Sequence, residues 1–455
     1  MGKKESKQTD ALEVFRSAPI PVAVLKNALP AMAASLMVLI YNLADTFFIG
    51  QTHNALMVAA VSLATPVFLI FMSLGTIFGV GGTSVISRAM GEGRMEYGKK
   101  VCSFCMWGCV AASLLMMIVV FAFMTPILTT VGASEDTWGY AQTYLSIVSI
   151  SGPAILLSSC YSNILRSEGR AGLAMIGQVG GNLLNVILDP ILILACGWGV
   201  AGAAAATAIS NIVSAVYYLT YFKWGHSILS IHPKDFSVRE SIPKNVFAIG
   251  IPAALGSLLM SISSILMNGQ MSHYGDMAVA GIGVAQKVTM ITGMIAIGFG
   301  QGVQPLLGYC VGARNWDRFR KSMRFSVCFA FGLSLVLTSV CYLLKNQIIS
   351  AFLTDPDAYS YAVQFVQILL TTSFLFGIYY VFTNCLQAMG AATAAFISSI
   401  SRQGLVYIPA IFILQAIIGI TGLVWAQPLA DLVSLIVTII LFMVTYRRMS
   451  RKPAV

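Results

Sequence analysis

The sequence predicts an all-α polytopic membrane protein, with twelve transmembrane helices in two parallel-repeat six-helix bundles that form a V-shaped central cleft. Three observations lead to this fold class. The 455 residues are 57% hydrophobic and 10% charged, with a mean hydropathy of +0.82, unlike a soluble domain. Long apolar runs recur along the chain, and the two halves of the sequence resemble each other.

The apolar runs are about 20 residues or longer, which is enough for a helix to cross a bilayer core of about 30 Å. Continuous apolar runs satisfy their backbone groups as helices, whereas a barrel needs alternating strands. We place the helices at residues 28–50, 57–87, 99–124, 138–165, 171–194, 198–222, 243–272, 277–311, 321–344, 357–388, 394–416 and 421–446. The N-terminal segment carries both charge signs and no cleavage site, so we expect no cleaved signal peptide.

Lysine and arginine set the orientation, because loops rich in them stay on the cytoplasmic side. With twelve helices, 25 of the 27 basic residues fall on one side, among them Lys3, Lys4, Lys7 and Lys452 near the termini. Lys345 falls on the other side. We therefore expect both termini in the cytoplasm, and the net charge of +10 reflects topology in the bilayer rather than a nucleic-acid partner.

An internal repeat divides the chain. The longest connection predicts an N-terminal lobe over 1–222, a cytoplasmic linker over 223–242 and a C-terminal lobe over 243–455. Motifs recur at an offset of 221 residues: Asn163, Leu165 and Gly169 return as Asn384, Leu386 and Gly390, and Gly91 returns as Gly312. Six helices in each half start both halves on the same side, which makes the repeat parallel.

A polar stripe on the fifth helix is the most informative local feature. Gln178, Asn182, Asn185 and Asp189 follow at steps of four, three and four, so they share one helix face. Pro190 lacks an N–H and leaves a carbonyl free beside the carboxylate. Such a spot could hold a proton, a small cation or ordered water.

Ionisable residues inside the apolar runs cost roughly 2.5 to 3.5 kcal/mol each and indicate function. They are Asp45, Asp189, Lys287, Arg402 and Asp431. Arg402 is also long enough to reach the headgroups from the membrane interior. Asp45 lies beside Tyr41 and Asn42 on the first helix. The repeat places no acid at the positions equivalent to Asp45 and Asp189, which predicts a coupling site in one lobe.

Lys287 and Asp431 lie at matching depths in the second half, and neither charge is tolerable alone. We therefore expect them to form an ion pair within the C-terminal lobe.

The motifs Asn-Leu-Ala-Asp45-Thr-Phe, Leu-Asp189-Pro-Ile-Leu and Gly-Ala-Ala-Ala-Ala-Thr207 together resemble those of the multidrug and toxic compound extrusion (MATE) transporters, in the DinF-like and MepA-like bacterial branch. Arg88-Ala-Met-Gly91 and Leu165-Arg-Ser-Glu-Gly169 are similar too, and the likeness covers nearly the whole chain. The resemblance implies a secondary active antiporter in the bacterial cytoplasmic membrane. It would export small organic cations in exchange for H⁺ or Na⁺ by alternating access.

The resemblance also implies site residues. Asp45, Asn185, Asp189 and Thr207 would form the cation site, with Tyr144 and Asn163 in its polar network. The NorM-like branch has acids on helices seven and ten, which this chain lacks, so a C-terminal sodium site is not expected. Glutamines on helix eight are candidate substrate-cleft residues, because hydrocarbon would penalise them: Gln286, Gln301 and Gln304.

Two other functions compete. A lipid-linked oligosaccharide flippase of the same superfamily would need several cationic groups for a pyrophosphate, and Lys287 is nearly alone. A membrane-embedded enzyme would need a catalytic set at membrane depth, but His53, His226, His232 and His273 all fall in predicted loops. The nine cysteines look like small buried hydrophobes. We therefore expect no enzyme, no cofactor, no metal other than Na⁺, and a monomer.

Overall fold

The structure is a computed structural model that describes residues 12–224, 227–353 and 355–451, and this described part is helical without strands. Lys3, Lys4, Lys7, His226 and Lys452, which enter the arguments above, lie outside it. The first lobe contains α1 (Ile20–Gly50), α2 (Ala55–Gly91), α3 (Met95–Ala122), α4 (Met124–Thr130), α5 (Glu135–Ile150), α6 (Gly152–Ser167), α7 (Ala171–Asp189) and α8 (Gly199–Lys223). A short helical segment over 12–16 precedes them.

The second lobe repeats this order. It contains α9 (Ile242–Met271), α10 (Asp276–Gly312), α11 (Trp316–Leu343), α12 (Lys345–Ser350), α13 (Pro356–Ser373), α14 (Phe376–Ala388), α15 (Ala392–Ile400), α16 (Tyr407–Ile418) and α17 (Ile420–Ser450). Two π-helical turns interrupt these helices, Pro190–Ala195 after α7 and Ser401–Leu405 between α15 and α16. Short 3₁₀ turns lie at Pro233–Asp235 and Ser272–Tyr274.

Within the described residues, ten helical stretches are long and apolar enough to span a membrane, and two bent pairs bring the number to twelve. The predicted fold class is therefore confirmed. The predicted helices at 138–165 and 357–388 are bent by 56° and 48°. Pro153, in the first turn of α6, cannot donate to the preceding turn. In the second pair, the Gly377 N–H donates to Ser334 Oγ of α11 at 3.2 Å.

The two lobes meet at the end of the bundle that carries Arg88, Arg166 and Arg314, which we call the basic end; the opposite end is the far end. A Cβ atom on Gly91 would lie 2.2 Å from the Tyr309 carbonyl oxygen, and one on Gly312 would lie 2.0 Å from that of Arg88. These pairs are related by the repeat offset of 221 residues. The contact therefore has approximate two-fold symmetry and requires bare backbone.

Further glycines extend this contact along the helices. A Cβ atom on Gly250 of α9 would lie 2.0 Å from the Ile77 carbonyl oxygen of α2. In the symmetry-related pair of helices, α10 and α1, a Cβ atom on Gly302 would lie 2.5 Å from Ala28 Cα. These positions lie in the halves of the helices nearest the basic end. The lobes are thus packed together there.

The connection between the lobes is attached to the first lobe. Glu168, buried at the end of α6, accepts hydrogen bonds from the Ser227 hydroxyl, from Tyr221 Oη at 3.1 Å and from the Leu229 N–H at 3.2 Å. Burial raises the pKa of the Glu168 carboxyl, and these donors act in the opposite direction. Near its end the connection is held by Lys100 Nζ, 2.6 Å from Glu240 Oε1.

Candidate functional site

The stripe predicted on the fifth helix lies on α7, whose α-helical hydrogen bonding ends at Asp189. Residues Pro190–Ala195 continue as a π-helix, as expected where a proline removes a donor. Asp189 is fully buried and Asn185 is 1% exposed. In the amide orientation that satisfies both neighbours, Asn185 donates to Asp189 Oδ2 at 3.1 Å and accepts from the Thr207 N–H of α8 at 3.1 Å.

Helix α1 packs along α7 and brings Asp45 to the same place. Asp45 lies within electrostatic range of Asp189, and Tyr41 and the buried Tyr144 lie within the same range of both carboxylates. Tyr41 also lies beside the Thr207 side chain. Two acids, two phenols, an amide and a hydroxyl from four spans therefore converge in the first lobe.

Both carboxylates have spare acceptor capacity. Asp45 Oδ1 and Asp189 Oδ1 are buried and have no hydrogen-bond partner among the described residues. An anionic oxygen removed from water without a partner is strongly unfavourable, so a proton or a small cation would satisfy it. Within the described part of the chain, no three histidine, cysteine or acidic side chains cluster as a metal site would require. The carboxylate, amide and hydroxyl oxygens that converge here are hard donors, the type that a proton or Na⁺ would bind.

The other end of the stripe belongs to a different cluster. Gln178 Oε1 accepts from Arg166 Nη2 at 3.1 Å, and Asn163 Oδ1 accepts from Arg166 Nη1 at 3.2 Å. Gln301, on α10 of the other lobe, accepts from the same Nη1 at 2.9 Å. Asn182 lies between the two clusters, with its Nδ2 buried and unpaired among the described residues.

The remaining predicted residues are more scattered. Asn42 is exposed on α1, and its carbonyl accepts from Thr46 Oγ1 at 2.9 Å. Gln286 is half-buried, and Gln304 is 2% exposed with its Nε2 3.5 Å from Gln387 Oε1 in its own lobe. The three α10 glutamines therefore do not share one environment.

The predicted ion pair between Lys287 and Asp431 is wrong. Arg402 Nε lies 2.7 Å from Asp431 Oδ1, and both side chains are buried. Lys287 is instead exposed, with its ammonium 5.2 Å from the centre of the Phe352 ring. Matching depth was not sufficient, because depth does not specify which side of a helix a residue occupies.

The Arg402 side chain is buried inside the second lobe, where it pairs with Asp431. Asp431 further accepts from Thr372 Oγ1 at 3.0 Å and from Gln427 Nε2 at 2.9 Å. Arg402 Nη1 donates to Tyr380 Oη at 2.9 Å. The guanidinium also faces three rings, those of Phe376, Tyr379 and Tyr380, at 4.6 to 5.6 Å. The acid of the second lobe is therefore already compensated by the chain itself.

Sequence reasoning missed one functional candidate, Arg166, and did not pair Arg402 with Asp431. The predicted helix over 138–165 ends before Arg166, yet this residue is one turn after Asn163 on the same helix. Its spacing of three from an amide could have identified it. Arg402 lies in the π-helical turn Ser401–Leu405, and the sequence gives no clear signal for that turn.

The fold and the buried acids define the class: a multi-pass membrane protein built from two related six-helix lobes, with an ion-site candidate in one of them. The chain belongs to the MatE family, whose model matches residues 30–191 and 252–413. These two matched segments are offset by 222 residues, in agreement with the repeat.

Relatives and solved structures agree with this assignment. The chain is 33% identical over 423 residues to the multidrug export protein MepA of Staphylococcus aureus (strain MSSA476), covering 93% of each protein. It is 31% identical over 424 residues to MepA of Staphylococcus haemolyticus, with the same coverage.

Solved structures share the fold. A MATE protein in complex with MaL6 matches with a TM-score of 0.90 at 24% identity, over 97% of this chain and 98% of that one. An outward-facing multidrug resistance MATE family transporter matches with a TM-score of 0.88 at 24% identity, again over 97% and 98%. The MATE resemblance read from the sequence is therefore confirmed, and the relatives are export proteins rather than enzymes.

Proposed function

We propose that this protein is a secondary active multidrug exporter that expels small organic cations in exchange for H⁺ or Na⁺ by alternating access. Its relatives in two staphylococcal species are named multidrug export proteins. The observation that carries the coupling proposal is the pair of unpartnered oxygens, Asp45 Oδ1 and Asp189 Oδ1, buried together in one repeat only. Asn185 and Thr207 complete this ion site.

The second lobe supports a single coupling site. Its buried acid Asp431 is neutralised by Arg402 and needs no ion from solution. The driving ion then acts through the first lobe alone, where binding changes the charge between α1 and α7. One elementary charge that moves through a membrane potential of 100 mV releases roughly 2.3 kcal/mol. This free energy can sustain a drug concentration ratio of about fifty across the membrane.

Orientation follows from the same account. We place the basic end, and with it both termini, in the cytoplasm, since loops rich in lysine and arginine stay there. Lobes packed together at this end leave the cleft open to the outside, the state in which a bound drug is released. Ion binding at Asp45 and Asp189 weakens the hold on the drug, because the two ligands favour different states of the same protein. We propose that the transporter acts as a monomer.

Transport by purified protein in liposomes tests this function. We expect ethidium to accumulate when a proton or a sodium gradient of the correct sign is imposed, and to equilibrate without accumulating when no gradient is present. Separate proton and sodium gradients identify the ion. A protein that moves lipid-linked sugars or does chemistry in the membrane would leave ethidium unmoved under both gradients, and that result would refute the proposal.

A further inference from the structure

The ion site described above leaves one buried charge unexplained, the guanidinium of Arg166. It is 3% exposed, in the last turn of α6. Within the described residues it takes part in no ion pair, and its Nε has no hydrogen-bond partner. A cation that is satisfied only by amide oxygens costs free energy compared with a solvated one. A packing role would be served as well by a neutral side chain.

Its three partners lie in both lobes. Asn163 belongs to its own helix, Gln178 to α7, and Gln301 to α10 of the second lobe, at 3.2, 3.1 and 2.9 Å respectively. The bond to Gln301 crosses between the lobes beside the glycine contacts of the basic end. It can exist only while the lobes are packed together there.

Helix α7 links this contact to the ion site. Gln178 and Asp189 are eleven residues apart on it, which is about three turns and about 16 Å along one face. A change in the position of α7 when an ion binds at Asp189 therefore also moves Gln178. That movement acts on the guanidinium that Gln178 shares with Gln301.

The repeat sets Arg166 apart from a purely structural residue. The equivalent position in the second lobe is Gln387, which pairs with Gln304 inside its own lobe. The charge thus occurs only in the lobe that carries the two acids of the ion site. Arg166, Asp45 and Asp189 therefore all lie in the first lobe, and none has an ionisable residue at the equivalent position of the second lobe.

We propose that Arg166 is a positioning residue that closes the basic end by binding Gln301 and makes this closure responsive to the driving ion through Gln178. The response to the ion rests on the proposed function, whereas the closure itself does not. A hydrogen bond to a charged donor that is present in one state only shifts the ratio of closed to open by about ten- to hundredfold.

Distances between spin labels measure that ratio. Labels replace Glu96 on α3 and Arg320 on α11, which are exposed, in a chain lacking the exposed Cys196 and Cys328. We expect Arg166→Gln and Gln301→Ala each to increase the population with the longer label distance, the open state, about tenfold or more. The double variant should show the same increase as either single variant, because both remove one hydrogen bond. Gln304→Ala, on the same helix but bonded within its own lobe, leaves the distances unchanged.

Two results would overturn the closure: unchanged distances in Gln301→Ala, or effects of the two variants that simply add. Arg166→Gln changes a buried residue and could prevent folding. In that case Gln301→Ala and Gln301→Glu provide the deciding evidence, since the second variant gives Arg166 a carboxylate partner in the other lobe. We expect Gln301→Glu to increase the closed population.

The response to the ion is tested by repeating the measurement across pH and sodium concentration. The wild type should respond, and both Asp189→Asn and Arg166→Gln should respond less than a third as strongly. A response in Arg166→Gln equal to that of the wild type would refute the link through Gln178. A wild type that responds to neither ion would instead refute the proposed ion site, leaving the closure result standing.

Discussion

The buried pair between Arg402 and Asp431 gives a quantitative prediction for stability. Asp431→Asn leaves a buried guanidinium that cannot lose its charge and faces only neutral groups: the amide oxygen that replaces the carboxylate, Tyr380 Oη and the aromatic rings. Removing one partner of a buried pair costs about 3–5 kcal/mol. Arg402→Met costs less, because the remaining carboxylate keeps its bonds from Thr372 and Gln427 and can take up a proton. Unfolding of the purified protein by SDS titration measures both changes.

The double variant Arg402→Met with Asp431→Asn should recover most of the loss, since neither charge then remains uncompensated. Lys287→Met is the matched control: this lysine is exposed and contacts no acid in the described structure, so its loss should cost less than about 1 kcal/mol. The reasoning would fail if Lys287→Met were as damaging as Arg402→Met, or if the double variant were no more stable than Asp431→Asn.

Three further predictions concern transport, packing and topology. Asp45→Asn and Asp189→Asn should each reduce gradient-driven ethidium transport in liposomes by at least about tenfold with normal protein levels; transport at wild-type rates in both would contradict the ion site. Gly250→Ala should destabilise the closed basic end by about 1–3 kcal/mol, because its Cβ meets the Ile77 carbonyl, and spin-label distances measure the change. Gly332→Ala is the control: its Cβ meets nothing within 4 Å, so the distances should stay unchanged. Cys196, exposed after the π-helix at the far end, should react with a membrane-impermeant maleimide on intact cells; labelling only after lysis would reverse the orientation.

Much of the fold could be predicted because the membrane imposes a simple rule on sequence. Apolar runs must be helices there, so their length and number follow from composition alone. The bend before Gly377 could not be predicted, because the Gly377 N–H bonds outside its own helix, to the hydroxyl of Ser334 on α11. Helix α1 begins at Ile20 rather than residue 28, since a helix extends past its apolar part to include Lys26.

The candidate site shows the same division. The α7 stripe was visible because its residues are neighbours on one helix, and a spacing of three or four residues fixes their common face. The partner of Asp431 was not visible, because pairing between helices depends on their rotation and on the π-helical turn that carries Arg402. The link from Gln178 through Arg166 to Gln301 joins three helices in two lobes, a contact that no local pattern encodes.

Ion release on drug binding is the most direct test of the account. Ethidium is added to the purified protein in weakly buffered solution, and a pH indicator and a sodium electrode follow the two candidate ions. The account predicts release of about one or two ions of a single kind per drug bound, and none from Asp45→Asn with Asp189→Asn, because the two ligands favour different states. Equal release from the wild type and the double variant would contradict it.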